Sequence, residues 1–237
     1  MSPPEKSLSH QTDAHGKAPR EINRQIKDLI AAGETKITVV RCEAQHNLAV
    51  GILAPVSIVF AGSVGYYCGG LIDGPDLEIH GSAGWGLGES MISGSIRVRG
   101  NAGNSCAASI RGGTVVVHGS VGARAGISMK GGLLIVERDS GYMTGFMMQK
   151  GAIIVCGNAG PALADSMYEG VIYVGGEIAE LGNDAVVSEP DAGDWKLLHE
   201  SLARWGISAE RPFKKVAAGR RLWNFDKQEI ALWKEAL

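Results

Sequence analysis

The chain has 237 residues, a formal net charge of −2 and a pI near 6.3, so it offers no electrostatic reason to bind nucleic acid or an anionic membrane. No stretch approaches the ~20 apolar residues that cross a bilayer. Glycine is abundant, at 34 residues, about twice the usual ~7% share.

The first predicted elements precede any repeat. Residues 1–19 are polar, contain no apolar signal region, and are expected to form a disordered arm of a cytoplasmic protein. Residues 20–32 place Ile22, Ile26, Leu29 and Ile30 on one stripe, which predicts an amphipathic helix. Residues 35–40 alternate and are β-branched, which predicts a strand. Residues 20–49 are therefore expected to form a helix–strand cap.

A 19-residue repeat then runs from Val56 to Gly176 without insertion or deletion. One glycine column falls at Gly62, Gly81, Gly100, Gly119, Gly157 and Gly176, interrupted only by Arg138. Two apolar columns alternate between the glycines. The first contains Ile58, Leu77, Ile96, Val115, Leu134, Ile153 and Ile172, and the second contains Phe60, Ile79, Val98, Val117, Val136, Val155 and Val174. A fixed period of this length with a strand and turns in every unit predicts a solenoid.

The period also selects the kind of solenoid. Left-handed hexapeptide helices have 18-residue coils, whereas this period is 19. We therefore predict an all-β fold, a right-handed parallel β-helix of about seven coils over residues 50–180. The methionines at 91, 129, 148 and 167 share one slot and are expected to fill its core.

The position between the two apolar columns points outward and changes along the chain. It is occupied by Val59, Glu78, Arg97, Val116, Ile135, Ile154 and Tyr173. Its apolar late members must be covered, either by the C-terminal segment, by the N-terminal helix or by another subunit. We expect the C-terminal tail to cover them.

Residues 181–237 are expected to form a helical and extended tail. A periodic apolar pattern predicts one helix from Trp195 to Trp205, and residues 228–237 predict a second. The tail, with Trp205, Trp223 and Trp233, either docks on the solenoid or binds a partner.

The chain shows few candidates for chemistry. Cys42, Cys68, Cys106 and Cys156 form no C-x-x-C pair and are expected to be buried, reduced thiols. His80 and His118 share an outward column two coils apart, about 9.6 Å, which is too far for one zinc ion. Gly84-Trp-Gly-Leu-Gly88 lacks the following helix of a dinucleotide loop. No catalytic, cofactor-binding or metal-binding residue is predicted.

Exposed aromatic residues are the remaining candidates for function. Tyr66, Trp85, Tyr142 and Phe146 are predicted to lie at the corners of the coils. Aromatic side chains at such a rim suit contact with another protein. Local packing under the tail is an equally weighted interpretation.

The repeats resemble the C-terminal domain of the glutamate synthase large subunit. The resemblance rests on segments such as I-R-G-G-T-V-V-V-H-G-S-V-G and M-K-G-G-L-L-I-V, and it covers residues ~50 to 180. The flanking segments A-Q-H-N-L-A-V-G-I and G-Y-Y-C-G-G are similar to the stand-alone form of this domain.

The resemblance implies a role within a larger enzyme. Such a β-helix subunit stands beside a glutamine-amidotransferase-like subunit and an FMN-binding synthase-like subunit in a higher-order hetero-oligomer. N-methylglutamate synthase and archaeal-type glutamate synthase are of this kind. FMN and an iron–sulfur cluster would belong to the synthase-like partner.

Two alternatives to this role stay open. One is the β-helix subunit of a formylmethanofuran dehydrogenase or of a formyltransferase/hydrolase complex, which shares the fold. The other, of a different class, is a free scaffold solenoid. Within the first role, methylamine and ammonia both stay open as the nitrogen substrate.

Overall fold

The computed structural model describes residues 10–219. It contains two helices, α1 (Pro19–Ala31) and α2 (Ala192–Ala203). The strands are β1 (His10–Asp13), β2 (Lys36–Val40), β3 (Ser57–Ala61), β4 (Asp76–Ile79), β5 (Ser95–Val98), β6 (Thr114–Val117), β7 (Lys130–Val136), β8 (Lys150–Val155), β9 (Val171–Val174), β10 (Ala185–Ser188) and β11 (Lys214–Ala218).

The strands form one sheet that runs along a parallel solenoid. Strands β1 to β9 follow one another in chain order, each parallel to the next, and the order ends β9-β11-β10. From β3 to β9, residues pair with those 19 positions later, as Ile58 does with Leu77 and Leu77 with Ile96. The exception is Lys130, which pairs with Lys150 at a local register shift. The predicted coil period and the solenoid of about seven turns are thereby confirmed.

The two predicted apolar columns form the interior. Every member of both columns is exposed by 2% or less. Met91, Met129, Met148 and Met167 are buried beside them, in the slot that Ile110 shares. Strand alternation directs these side chains inward, and the parallel register stacks like residues into one continuous core.

A polar ladder explains the glycine column. At one corner the side chain of each coil accepts the backbone N–H of the next coil, so that Ser82 Oγ accepts from Asn101 N–H at 3.1 Å and Asn101 Oδ1 from Ser120 N–H at 2.8 Å. A Cβ at Gly119 would lie 2.2 Å from Asn101 Oδ1, which leaves no room for a side chain. The corner at Arg138 persists with longer bonds, 3.3 Å from Arg138 N–H to Gly119 O and 3.3 Å from Asp139 N–H to Ser120 Oγ.

The stretch after each corner has an alternating backbone. Gly86, Gly88 and Ser90 all have positive φ, of 67°, 66° and 61°. Their N–H groups point alternately to the next and the previous coil, since Gly86 bonds to Asn104 O and Gly88 to Cys68 O. Glycine lowers the steric cost of this left-handed conformation, which favours Gly-x-Gly here.

Helix α1 closes the N-terminal end of the solenoid. Ile22 and Ile26 are fully buried against the core. The amide of Asn23 replaces a missing coil: its Nδ2 donates to Asn47 O at 2.6 Å and its Oδ1 accepts from Ala49 N–H at 2.8 Å. These contacts satisfy backbone groups that an open solenoid end would leave unpaired.

The expected disordered arm is wrong for its described part. Residues 10–13 form β1, which pairs in parallel with β2. Thr12 Oγ1 donates to Gln25 Oε1 at 2.8 Å, and Ala14 is buried. The free edge of β2 and the flank of α1 order this polar segment, which its composition alone could not indicate. Residues 1–9 lie outside the described part of the chain.

The tail reverses the direction of the sheet. Strand β11 pairs antiparallel with both β9 and β10. The predicted helix starts three residues early, at Ala192, because Asp191 Oδ1 accepts the N–H groups of Gly193 and Asp194. The second predicted helix, Trp223 and Trp233 lie outside the described residues. Neither helix of residues 10–219 combines the length and the apolar character of a transmembrane segment.

Candidate partner interface

Two of the four predicted interface residues stack on each other at a corner of the solenoid. The rings of Tyr66 and Trp85 lie 5.3 Å apart with an interplanar angle of 15°. His46 extends the stack, 4.5 Å from Tyr66. Tyr66 and Trp85 are 47% and 54% exposed, so these rings are not packed under the described part of the tail, which ends at residue 219. We call His46, Tyr66 and Trp85 the aromatic stack.

The local sequence explains how the rings come to stack. A Cβ at Gly84 would lie 2.5 Å from the Tyr66 ring, and one at Gly103 would lie 2.4 Å from Trp85. The bare glycines therefore allow each ring to lie flat against the following coil. His46 Nδ1 accepts the Tyr66 N–H at 2.9 Å, which places the hydrogen of a neutral imidazole on Nε2.

Sequence reasoning missed His46. It precedes Tyr66 by 20 residues, one more than the period, because the coil that joins β2 to β3 is longer than the later coils. The sequence offered one signal for it, its presence in the segment A-Q-H-N-L-A-V-G-I that resembles the stand-alone form of the domain.

The other two predicted residues, Tyr142 and Phe146, are not part of the aromatic stack. Tyr142 occupies the corner column of Trp85 three coils further on, which is about 14 Å at the usual strand spacing. It is 46% exposed. Phe146 is partly exposed and lies outside the corner column. The corner column therefore carries two separate exposed aromatic patches, one at Tyr66 and Trp85 and the other at Tyr142.

The late outward column is covered by the tail, as predicted. Val116, Ile135, Ile154 and Tyr173 are 2% exposed or less and form a second core. Their partners from the tail are Leu198, Leu202, Ile207 and Phe213. This half of the sheet face is consequently closed to other subunits.

An ionic cluster fixes the tail over this second core. The Tyr173 hydroxyl donates to Asp194 Oδ1 at 2.5 Å, and Lys215 Nζ donates to Asp194 Oδ2 at 2.8 Å. Burial and the hydrogen bond to Asp194 raise the pKa of Tyr173. Burial alone would raise the pKa of Asp194, but the bonds from Lys215, Tyr173 and the Asp191 N–H overcome it and lower that pKa.

The early half of the same face is ionic and partly open. Arg99 Nη2 donates to Glu78 Oε1 at 2.5 Å, and His80 Nε2 lies 3.3 Å from the same oxygen. His118 lies in a column predicted to point outward, yet its side chain is only 19% exposed, because it lies between Arg97, at 3.0 Å, and Glu137, at 2.6 Å. Its charged neighbours hold it against the sheet.

The cysteines have the properties of core residues. All four are buried and unpaired. Burial raises the pKa of Cys106 to about 12 and that of Cys42 and Cys156 to about 11, and it raises that of Cys68 further. Thiols with such pKa values are poor nucleophiles at neutral pH. Within residues 10–219, His, Cys, Asp and Glu nowhere form a group of three that could hold a metal ion.

Comparison with known proteins agrees with this architecture. One chain of the formyltransferase/hydrolase complex FhcABCD from Methylorubrum extorquens, solved with methylofuran, superposes with a TM-score of 0.58 at 22% identity, over 85% of this chain and 86% of that chain. This likeness shows a shared fold.

Sequence comparison adds a relative and a family. Protein GlxC of Rhizobium meliloti (strain 1021) is 39% identical over 62 residues, which are 26% of this chain and 27% of GlxC. The match thus spans about a quarter of that curated relative. A family model described as the GXGXG motif matches residues 18–189, which is most of the chain. The chain therefore belongs to the GXGXG family, the family of the C-terminal domain of the glutamate synthase large subunit.

Proposed function

We propose that this chain is the non-catalytic β-helix subunit of a multi-subunit, FMN-dependent enzyme of the glutamate synthase type, and specifically of N-methylglutamate synthase. That enzyme converts methylamine and L-glutamate to N-methyl-L-glutamate and ammonia. The partners are a glutamine-amidotransferase-like subunit and an FMN-binding synthase-like subunit. Membership of the GXGXG family is the observation that carries the proposal.

The arrangement of the surface supports a role in assembly. The tail already covers the late half of the sheet face, yet Trp85 and Tyr142 stay about half exposed in two separate patches. Aromatic residues that are exposed in a free subunit are frequent anchors of protein interfaces. Two aromatic patches in one corner column are suited to contact two segments of a larger assembly.

The iron–sulfur cluster of such an enzyme does not fit this chain. Clusters of this kind need several cysteine thiolates around one centre. Here the four thiols are buried with raised pKa values, and no three potential ligands among residues 10–219 converge. We therefore assign the cluster to the synthase-like partner, to which the proposal also assigns FMN.

Co-expression with the two proposed partners tests the function. The purified complex should contain all three subunits, should be yellow from bound FMN, and should form N-methylglutamate from methylamine and glutamate. The chain purified alone should bind no flavin. A complex that uses ammonia but not methylamine would support an enzyme of the glutamate synthase type and would refute the specific assignment to N-methylglutamate synthase.

Charge substitution at the two patches tests the interface. Trp85→Asp combined with Tyr142→Asp should release the partners in size-exclusion chromatography while circular dichroism of the chain stays unchanged. Leu197→Asp is the matched control, since Leu197 is 37% exposed on α2, outside both patches. A complex that survives the double substitution would show that the contact lies elsewhere.

A second candidate is the β-helix subunit of a formylmethanofuran dehydrogenase or of a formyltransferase/hydrolase complex. The observation that favours it is the extent of the structural match, 85% of this chain, to a chain of such a complex. Co-purification with formyltransferase-like subunits instead of FMN-binding ones would select this candidate. Elution as a homopolymer without partners would instead select a free scaffold.

A further inference from the structure

The outer face of α1 carries three cations that have no partner among residues 10–219. Arg20, Arg24 and Lys27 are exposed and lie on one side of the helix. None of them forms an ion pair or a hydrogen bond to another side chain of the described part, unlike Arg41, which is paired with Asp13. Their charge is therefore available to a ligand.

These cations line a shallow groove. The groove has a volume of about 660 Å³ and is completed by Pro19, Asn23, Asp28 and Asn47. Asp28 is the single carboxylate among these lining residues. Glu21, also exposed on α1, accepts the Ala18 N–H at 2.8 Å and so is engaged at the start of the helix. The groove has an excess of positive charge.

The groove and the aromatic stack are connected through Asn47. Asn23 Nδ2 bonds to Asn47 O at 2.6 Å, and Asn47 follows His46 directly in the chain. The Asn47 N–H in turn bonds to Tyr66 O at 2.7 Å. Asn47 thus lies between the cation-lined groove and the aromatic stack and is hydrogen-bonded to a residue of each.

The orientation of the rings disfavours single-stranded nucleic acid and favours a partner that carries carboxylates. Both faces of Tyr66 are used, one by His46 and the other by Trp85. Single-stranded nucleic acid needs open ring faces on which its bases stack. The ring edges that remain carry partial positive charge and so add to the attraction for carboxylates.

The remaining part of the chain at this end does not match the surface. Residues 1–9 contain one Glu and one Lys and therefore have no net charge to complement three cations. An external, acidic partner fits the surface better.

We propose that the α1 groove and the aromatic stack together dock an acidic segment of a partner subunit. Its carboxylates would pair with Arg20, Arg24 and Lys27, and an apolar side chain beside them would contact the edges of Tyr66 and Trp85. This inference rests on the proposed function, because the partner is taken to be a subunit of that complex.

Charge reversal tests the inference with the co-expressed complex. The variant carrying Arg20→Glu, Arg24→Glu and Lys27→Glu should bind the partner subunits about tenfold more weakly or worse at low salt. The difference from wild type should shrink at about 0.5 M salt, where screening acts within a few ångströms. The variant should fold, because all three side chains are exposed on the outer face of α1, where substitutions usually change stability little.

The matched control reverses three other exposed cations, through Arg111→Glu, Lys196→Glu and Arg204→Glu, and should keep wild-type affinity. Equal weakening by both variants would show an effect of net charge and overturn the inference. A complex that survives the α1 reversal overturns the inference alone. If the wild-type chain binds neither subunit, the proposed function fails together with it. A change in the mass of the isolated chain on α1 reversal would assign the surface to self-association instead.

Discussion

The two halves of the outer sheet face share one backbone and differ in what covers them. Glu78 and Arg97 pair in the same register as Arg97 and Val116, so the hydrogen-bond ladder does not distinguish the halves. The early half is ionic and partly open, whereas Ile135 and Ile154 in the late half are fully buried. The difference lies in the tail, whose described residues cover the late half and leave the early half uncovered.

This contrast separates two contributions to stability. The inner core is shared by every coil and supports the whole solenoid, while the second core supports only the docking of the tail. Burying a large aliphatic side chain contributes about 1.5–3 kcal/mol, whereas exposed ion pairs such as Arg99 with Glu78 contribute about 0–1 kcal/mol. Substitutions at equivalent positions should therefore differ in how much stability they remove and in how much of the molecule they destabilise.

The largest expected effect is in the inner core. Val117→Asp places a charge without a partner inside the stack, at a cost of several kcal/mol. Thermal unfolding should show loss of the whole cooperative transition. His118→Ala, one residue away but outward, removes the contacts to Arg97 and Glu137 and should cost about 1 kcal/mol or less. Equal melting of the two variants would refute the inward and outward assignment.

A smaller and local effect is expected in the second core. Ile154→Ala should destabilise tail docking by about 2–4 kcal/mol, because it leaves a cavity under α2. Hydrogen exchange should show faster opening of α2 and β11, with the solenoid strands unchanged. Glu78→Ala at the same outward position of an early coil is the control and should leave exchange unaffected. If both variants showed faster exchange in the solenoid strands as well as in α2 and β11, the inner core and the second core would unfold as one unit.

The smallest expected effect is a pH dependence confined to the tail. Asp194, whose pKa is lowered from 3.8, stabilises docking above that pH, and this contribution is lost as the pH falls through its folded value. Tyr173, whose pKa is raised from 10.0, stabilises docking below that pH, and this contribution is lost as the pH rises toward its folded value. Tryptophan fluorescence should report release at both extremes. Tyr173→Phe should abolish the alkaline change and, because it removes a hydrogen bond that lowers the pKa of Asp194, should move the acidic change to higher pH. An unaltered alkaline change would contradict this assignment.

The sequence predicted the repeating part of the molecule well. The columns at Ile58 and Phe60 repeat 19 residues apart, and parallel strands place such repeats on top of each other. Helix α1 followed equally from the spacing of Ile22 and Ile26, because an amphipathic stripe is a local pattern. The burial of the four cysteines was also predicted, from the lack of a C-x-x-C pair and the usual burial of free thiols.

The candidate site was predicted only in part. Tyr66 and Trp85 were found because they share a repeat position. His46 escaped because the first coil is longer than the repeat, and Tyr142 was grouped with them although three coils separate it from Trp85. The cations of α1 gave no signal until the structure placed Asn47 beside them.

By itself, the sequence determined the coil, its register and the inner core, because each depends on contacts that recur at a fixed separation along the chain. Only the tertiary structure decided where the non-repeating segments lie. Strand β1 is ordered by the free edge of β2, and β11 by the free edge of β9, through backbone hydrogen bonds that carry no side-chain pattern. The same holds for the late sheet face: its apolar side chains required a cover, and the bonds of Asp194 to Tyr173 and Lys215 made the tail that cover.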